Sequence, residues 1–68
     1  MDNLDMMKIE WIIAIHHPMW TDSETFTGTP EECAHQVIKR AIETERWVTA
    51  SSKHIDTVYD SRVLDFWF

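Results

Sequence analysis

From Lys8 to His17 the chain alternates with a period of two: Ile9, Trp11, Ile13 and Ile15 fall on one side, and Glu10, Ile12, Ala14 and His16 on the other. That spacing predicts a β-strand whose first side is a core face. The second side is mixed, with Ile12 and Ala14 at its middle, and needs either more chain or a second molecule to cover it. Pro18 cannot donate a backbone hydrogen bond and should stop the strand. Asp22 and Ser23 suit a turn, and Glu24-Thr25-Phe26-Thr27, β-branched and aromatic, suits a short second strand. Gly28, the only glycine, breaks the chain before the next element.

A change of period follows. Ala34, Val37, Ile38, Ala41 and Ile42 recur at helical spacing and predict one amphipathic helix from Thr29 to Arg46. Thr29 is the expected N-cap, Pro30 the first helical residue, and Glu32 the partner in a Thr-x-x-Glu capping box. Glu31 and Glu32 suit the positive end of the helix dipole, and Lys39, Arg40 and Arg46 the negative end. Beyond Trp47 the run Val48 to Ser52 has low helix propensity and predicts a return to extended chain. A strand through Lys53 to Tyr59, a turn at Asp60-Ser61 and a last strand from Arg62 to Phe68 complete the pattern. The apolar Phe66-Trp67-Phe68 stretch is expected to be pinned in the sheet or into a partner, since it would otherwise leave much apolar surface in water.

The fold class that results is α+β: a small antiparallel sheet of three to four strands, order ββαββ, with one helix packed on one face. Residues 1–7 are expected to form a frayed tail and residues 8–68 a single domain. A lone helix leaves the other sheet face bare. Ile12, Ala14, Val63 and Trp67 are expected there, and an exposed patch of that kind marks an interface.

Composition narrows the function classes. A 68-residue chain buries only roughly 60% of the surface that it exposes when unfolded, so its stability is marginal without help. Cys33 is the single cysteine, which excludes an intrachain disulfide and suits a reducing, cytoplasmic setting. Four tryptophans, three phenylalanines and a tyrosine favour a large-aromatic core or an oligomer as the compensation. Twelve acids against six bases give a net charge of −6. Such a charge disfavours direct nucleic-acid binding and attachment to an anionic membrane, and fits a basic protein partner or plain solubility. No apolar run approaches the ~20 residues of a membrane-spanning helix. Met1 to Asp5 is acidic where a secretory signal would be basic.

Candidate chemistry is sparse. Adjacent His16 and His17 point to opposite sides of a strand, and Cys33 and His35 diverge around a helix, so neither pair has metal-ligand spacing. Cys33 near a helix start could be an activated thiol, but it borders the apolar stripe and is better read as a small buried side chain. His54 with Asp56 is a pairing that any histidine-bearing surface offers. One glycine cannot build a phosphate loop, and Glu31 and Glu32 already occupy the helix N-terminus. No catalytic residue, metal or cofactor is therefore assigned, and the chain is expected not to be an enzyme. Trp11 belongs to the core. Trp20, Asp22, Glu24, Trp67, Phe68 and Ile12 are the candidate partner-binding residues, since tryptophan is enriched at interface hot spots.

The segment Phe26-Thr27-Gly28-Thr29-Pro30-Glu31-Glu32-Cys33-Ala34, behind a hydrophobic strand, resembles tiny phage-encoded proteins in which a short strand leads through Thr-x-x-Glu-Ala into the only helix. The podophage RNA polymerase inhibitor and several small anti-CRISPR proteins are similar in size and element order. That resemblance contains no diagnostic motif and carries no functional residue over. It implies a class: a non-enzymatic binder that occupies a surface on a host protein or complex in the host cytoplasm. A second likeness is to small flavin-storage oligomers, from which the Pro18 to Gly28 segment departs. It implies self-association through the uncovered sheet face.

The capping box yields a first prediction. Thr29→Ala should lower the unfolding free energy by about 1 kcal/mol in chemical denaturation.

Overall fold

A computed structural model describes residues 7–64 and shows an α+β fold with a four-stranded antiparallel sheet. The elements run β1 (Ile9–His16), β2 (Thr21–Gly28), α1 (Pro30–Thr44), β3 (Trp47–Ser51), β4 (Val58–Asp60) and a single-turn α2 (Ser61–Leu64). Spatially the order is β2-β1-β3-β4. β1 and β3 are interior strands, and β2 and β4 are the edges. Among the described residues no helix is long and apolar enough to cross a membrane.

β1 behaves as its alternation requires. Trp11, Ile13 and Ile15 are buried beneath α1, together with Val48 and Ala50 of β3 and Cys33 and Val37 of the helix. Trp11 donates its indole N–H to the Gly28 carbonyl at 3.1 Å, so the largest core side chain leaves no polar atom unpaired. Its ring lies 5.5 Å from that of Tyr59. Ile9, Phe26, Ala41, Ile55 and Leu64 close the margins of this core.

The hairpin differs from expectation. Asp22 and Ser23 lie inside β2, and the turn is His17 to Trp20, closed by the His17 N–H donating to the Trp20 carbonyl at 2.8 Å. With Pro18 confined to the turn, β1 and β2 pair in unbroken register from Ile9 opposite Gly28 to His16 opposite Thr21. Gly28 ends β2, and its backbone has no positive φ. Its need is for space. A Cβ there would sit 2.8 Å from the Phe26 ring and 2.9 Å from the Glu32 carboxylate.

α1 opens on the predicted capping box: the Glu32 N–H donates to Thr29 Oγ1 at 3.2 Å, and the Thr29 N–H to the Glu32 carboxylate at 2.8 Å. This bond and the Lys8 ammonium, 3.3 Å away, hold the Glu32 carboxyl below its ordinary pKa. The helix is shorter than expected. It ends at Thr44, whose hydroxyl bonds back to the Arg40 carbonyl at 2.7 Å, and Glu45 caps it in the left-handed region at φ 57°. Arg46 therefore lies beyond the helix, whose last turn has no base. Ile42 is 72% exposed and does not belong to the buried stripe, which runs instead through Pro30, Cys33, Ala34 and Val37.

The C-terminal third departs furthest. The extended run after the helix is β3 itself, because Val48 and Ala50 alternate into the core. The expected strand at Lys53 to Tyr59 is mostly a loop: Ser52 Oγ accepts the His54 N–H at 3.1 Å and donates to the Glu10 carbonyl at 2.9 Å, turning the chain. Only Val58–Asp60 pairs with β3. Arg62 to Leu64 is helical where a last strand was expected. The Ser61 hydroxyl accepts the Val48 N–H at 3.0 Å, in the place that a continuing strand would fill, and Asp60 accepts the Arg62 N–H at 2.8 Å, starting the helical turn.

Gly28→Ala should destabilise the fold by about 1–3 kcal/mol through overpacking against Phe26. A companion Phe26→Leu change should recover part of that loss in the same denaturation experiment, because it removes the ring that the new methyl meets.

Candidate interaction surface

The strand registers define what the helix leaves uncovered. On the side away from α1 lie Glu10, Ile12, Ala14 and His16 of β1, Thr21, Ser23, Thr25 and Thr27 of β2, Trp47, Thr49 and Ser51 of β3, and Val58 and Asp60 of β4. Hydroxyl side chains dominate this face. Ile12 is at its centre, 40% exposed, between Thr25 and Ser51.

One corner is tied together. The His16 ring stacks on Trp47 with centroids 4.0 Å apart, and His16 Nε2 lies 2.9 Å from Thr49 Oγ1. The Arg62 guanidinium lies 4.0 Å from the centre of the Trp47 ring, a cation–π contact. Trp47 donates its indole N–H to Asp60 Oδ1 at 3.0 Å, and Arg62 donates to Asp60 Oδ2 at 3.0 Å. Arg62 holds the Asp60 carboxyl below its ordinary pKa, and Asp60 in turn raises that of Arg62. The group is an aromatic platform at the rim of the open face, tied by stacking, cation–π and hydrogen-bond contacts. Sequence reasoning missed it because Trp47 fell between the expected helix, ending at Arg46, and the extended run from Val48, and Arg62 was read as the start of a strand; the Asp60-x-Arg62 spacing was the available signal.

A second apolar feature is the β1–β2 turn. Met19 is 87% exposed and Trp20 55% exposed, with Trp20 stacked on His17 at 4.4 Å between centroids. His17 Nε2 lies 3.0 Å from the Asp22 carboxylate, which fixes the turn from the other side.

The candidate residues thus separate. Ile12 lies on the open face, whereas Trp20 lies at the turn on the helix side, stacked on the His17 that meets Asp22. Asp22 and Glu24 lie on the helix side of β2, where Asp22 meets His17 and Glu24 accepts from Arg40 Nη2 at 2.8 Å and Nε at 3.0 Å. Trp67 and Phe68 lie outside the described residues. Ala14 shares the open face with Ile12, whereas Val63 is exposed on α2.

Burial pushes the Cys33 thiol up to about 12, far from the thiolate that a nucleophile needs. Among the described residues no group of three or more His, Cys, Asp or Glu side chains is placed to hold a metal ion. The molecule is, by class, a four-stranded α+β fold with one sheet face that no described residue covers. No family model, curated protein or solved structure matches the chain.

The Asp60 network carries a pH signature. Its carboxyl titrates below the ordinary 3.8, so the stabilisation is complete above that value and is lost as pH falls through the lower folded-state value. The stability gap between the native chain and Asp60→Asn should narrow as denaturation is repeated from neutral pH down to about pH 2. A constant gap would show that the charge on Asp60 contributes nothing.

Proposed function

We propose that this chain is a non-enzymatic protein-binding module that occupies a surface on a larger host macromolecular complex. The inhibitors that phages and mobile elements direct against host RNA polymerase or CRISPR machinery are the type it would belong to, acting in the host cytoplasm. The observation that carries this reading is the sheet face that no described residue covers, with exposed Ile12 at its centre; the exposed Met19–Trp20 turn ends the same hairpin on the helix side, beside His17 and Asp22. An exposed apolar element rimmed by polar groups is the usual form of a protein contact, and tryptophan is a favoured anchor. The net charge of −6 adds preference for a basic partner surface and speaks against binding to nucleic acid directly.

The test is affinity capture from bacterial lysate with the native chain and two variants. Ile12→Asp combined with Trp20→Ala should abolish capture of the partner without changing the circular dichroism spectrum. Lys39→Glu, on the exposed surface of α1, should retain it. Equal capture by all three chains would remove the open face from consideration.

A further inference from the structure

We infer that β2 pairs edge to edge with β2 of a second copy of this chain, joining two four-stranded sheets into one. This inference does not depend on the host-partner reading, because it uses the strand edge and leaves the open face free.

Backbone alternation identifies the edge groups. The His17 to Trp20 bond sets the phase of the hairpin, so that Asp22, Glu24, Phe26 and Gly28 direct their N–H and C=O groups at β1. Two bonds elsewhere confirm the phase: the Glu10 carbonyl is met from the β3 side by Ser52, and the Val48 N–H is met by Ser61 on the side away from β1. It follows that Thr21, Ser23, Thr25 and Thr27 direct their backbone groups outward. Among the described residues β2 has β1 as its single neighbour in the sheet.

Folded proteins blunt an edge of this length with proline, lysine, a bulge or an inward-pointing charge. β2 (Thr21–Gly28) contains neither proline nor lysine, and its register with β1 is unbroken. Its two acids do point to the helix side, but each is paired there, Glu24 with Arg40 and Asp22 with His17, so neither presents an unpaired charge to an added strand. The strand is left as a template for another strand.

Charge chooses the register. In an antiparallel two-fold pairing, centring on Glu24 sets Glu24 against its own copy, and centring on Ser23 sets Asp22 against Glu24; like charges directly opposite are unfavourable. Centring on Thr25, Phe26 or Thr27 avoids both, and of these Thr25 keeps the longest stretch of β2 paired. Thr25 then faces Thr25 of the second copy, Ser23 faces Thr27, Glu24 faces Phe26 and Asp22 faces Gly28. Each facing pair of outward residues exchanges two backbone hydrogen bonds, and the threonine and serine side chains meet on the open face. The contact is isologous and closes as a dimer. Because both helices lie on the same side, the two open faces join into one surface.

Sedimentation equilibrium of the native chain should give twice its 8.1 kDa mass. Thr25→Pro removes an outward N–H without touching the β1 ladder, and should give a monomer with an unchanged circular dichroism spectrum. Disulfide trapping tests the register separately, and the native Cys33 is buried and does not interfere. Thr25→Cys should form a covalent dimer under mild oxidation, since Cα atoms of such a pair lie about 5.5 Å apart. Ser23→Cys alone should not, whereas a mixture of Ser23→Cys and Thr27→Cys chains should. A native monomer at sub-millimolar concentration, or a dimer that Thr25→Pro leaves intact, would overturn the inference. Trapping by Ser23→Cys but not Thr25→Cys would overturn the register.

Discussion

Trp11, Ile13 and Ile15 lie in one row on an interior strand, and α1 rests on that row. A sheet needs an apolar face against another layer, and among the described residues one helix is long enough to supply it. The helix meets the sheet through small and medium side chains, Cys33, Ala34 and Val37, so its backbone can come close to the Trp11 row. Other features follow from that contact. Gly28 stays bare so that Phe26 can fold over it, the Trp11 indole bonds to its carbonyl, and the capping box starts α1 one residue later, at the edge of the core.

Polar side chains hold the parts that the core does not reach. Arg40 bridges from α1 to Glu24 of β2, Ser61 replaces a missing strand for Val48, and Asp60 gathers Trp47 and Arg62. Exposed ion pairs of this sort contribute little to stability individually. Their effect here is positional: each occupies a charge or donor that would otherwise disturb a neighbouring surface. Strand alternation puts both acids of β2 on the helix side, where Arg40 and His17 pair with them, and leaves the opposite face of that strand hydroxyl-rich and uncharged. A surface of this composition is suited to contact with another backbone or a protein face, and poorly suited to holding a metal or a phosphate.

Much of the fold was legible in the chain. The alternation of residues 9–16, the Thr-x-x-Glu cap and the helical recurrence of Ala34, Val37 and Ala41 each depend on near neighbours, and local chemistry decides them. Of the candidate surface, the bare face and Ile12 were legible for the same reason. Asp22 was read as a turn residue and Glu24 as the start of the second strand with no side assigned, because that strand begins three residues earlier, at Thr21. Strand phase decides which side an acid occupies, and a shift of one residue would reverse it.

By itself, then, the sequence determined the element types as far as the end of α1, the buried side of β1, and the fact that one helix could not cover both sheet faces. These rest on periodicity and capping, which act over a few residues. Only the tertiary structure decided where α1 ends, which segment pairs beside β1, and that Ser61 to Leu64 coils into a helical turn. Those outcomes depend on partners distant in the chain: Val48 needs an acceptor for its N–H, Glu10 needs a donor for its carbonyl, and Trp47 finds His16, Asp60 and Arg62 only once β3 lies beside β1. No local pattern encodes such pairings, because the residues that satisfy them become neighbours only when the sheet has formed.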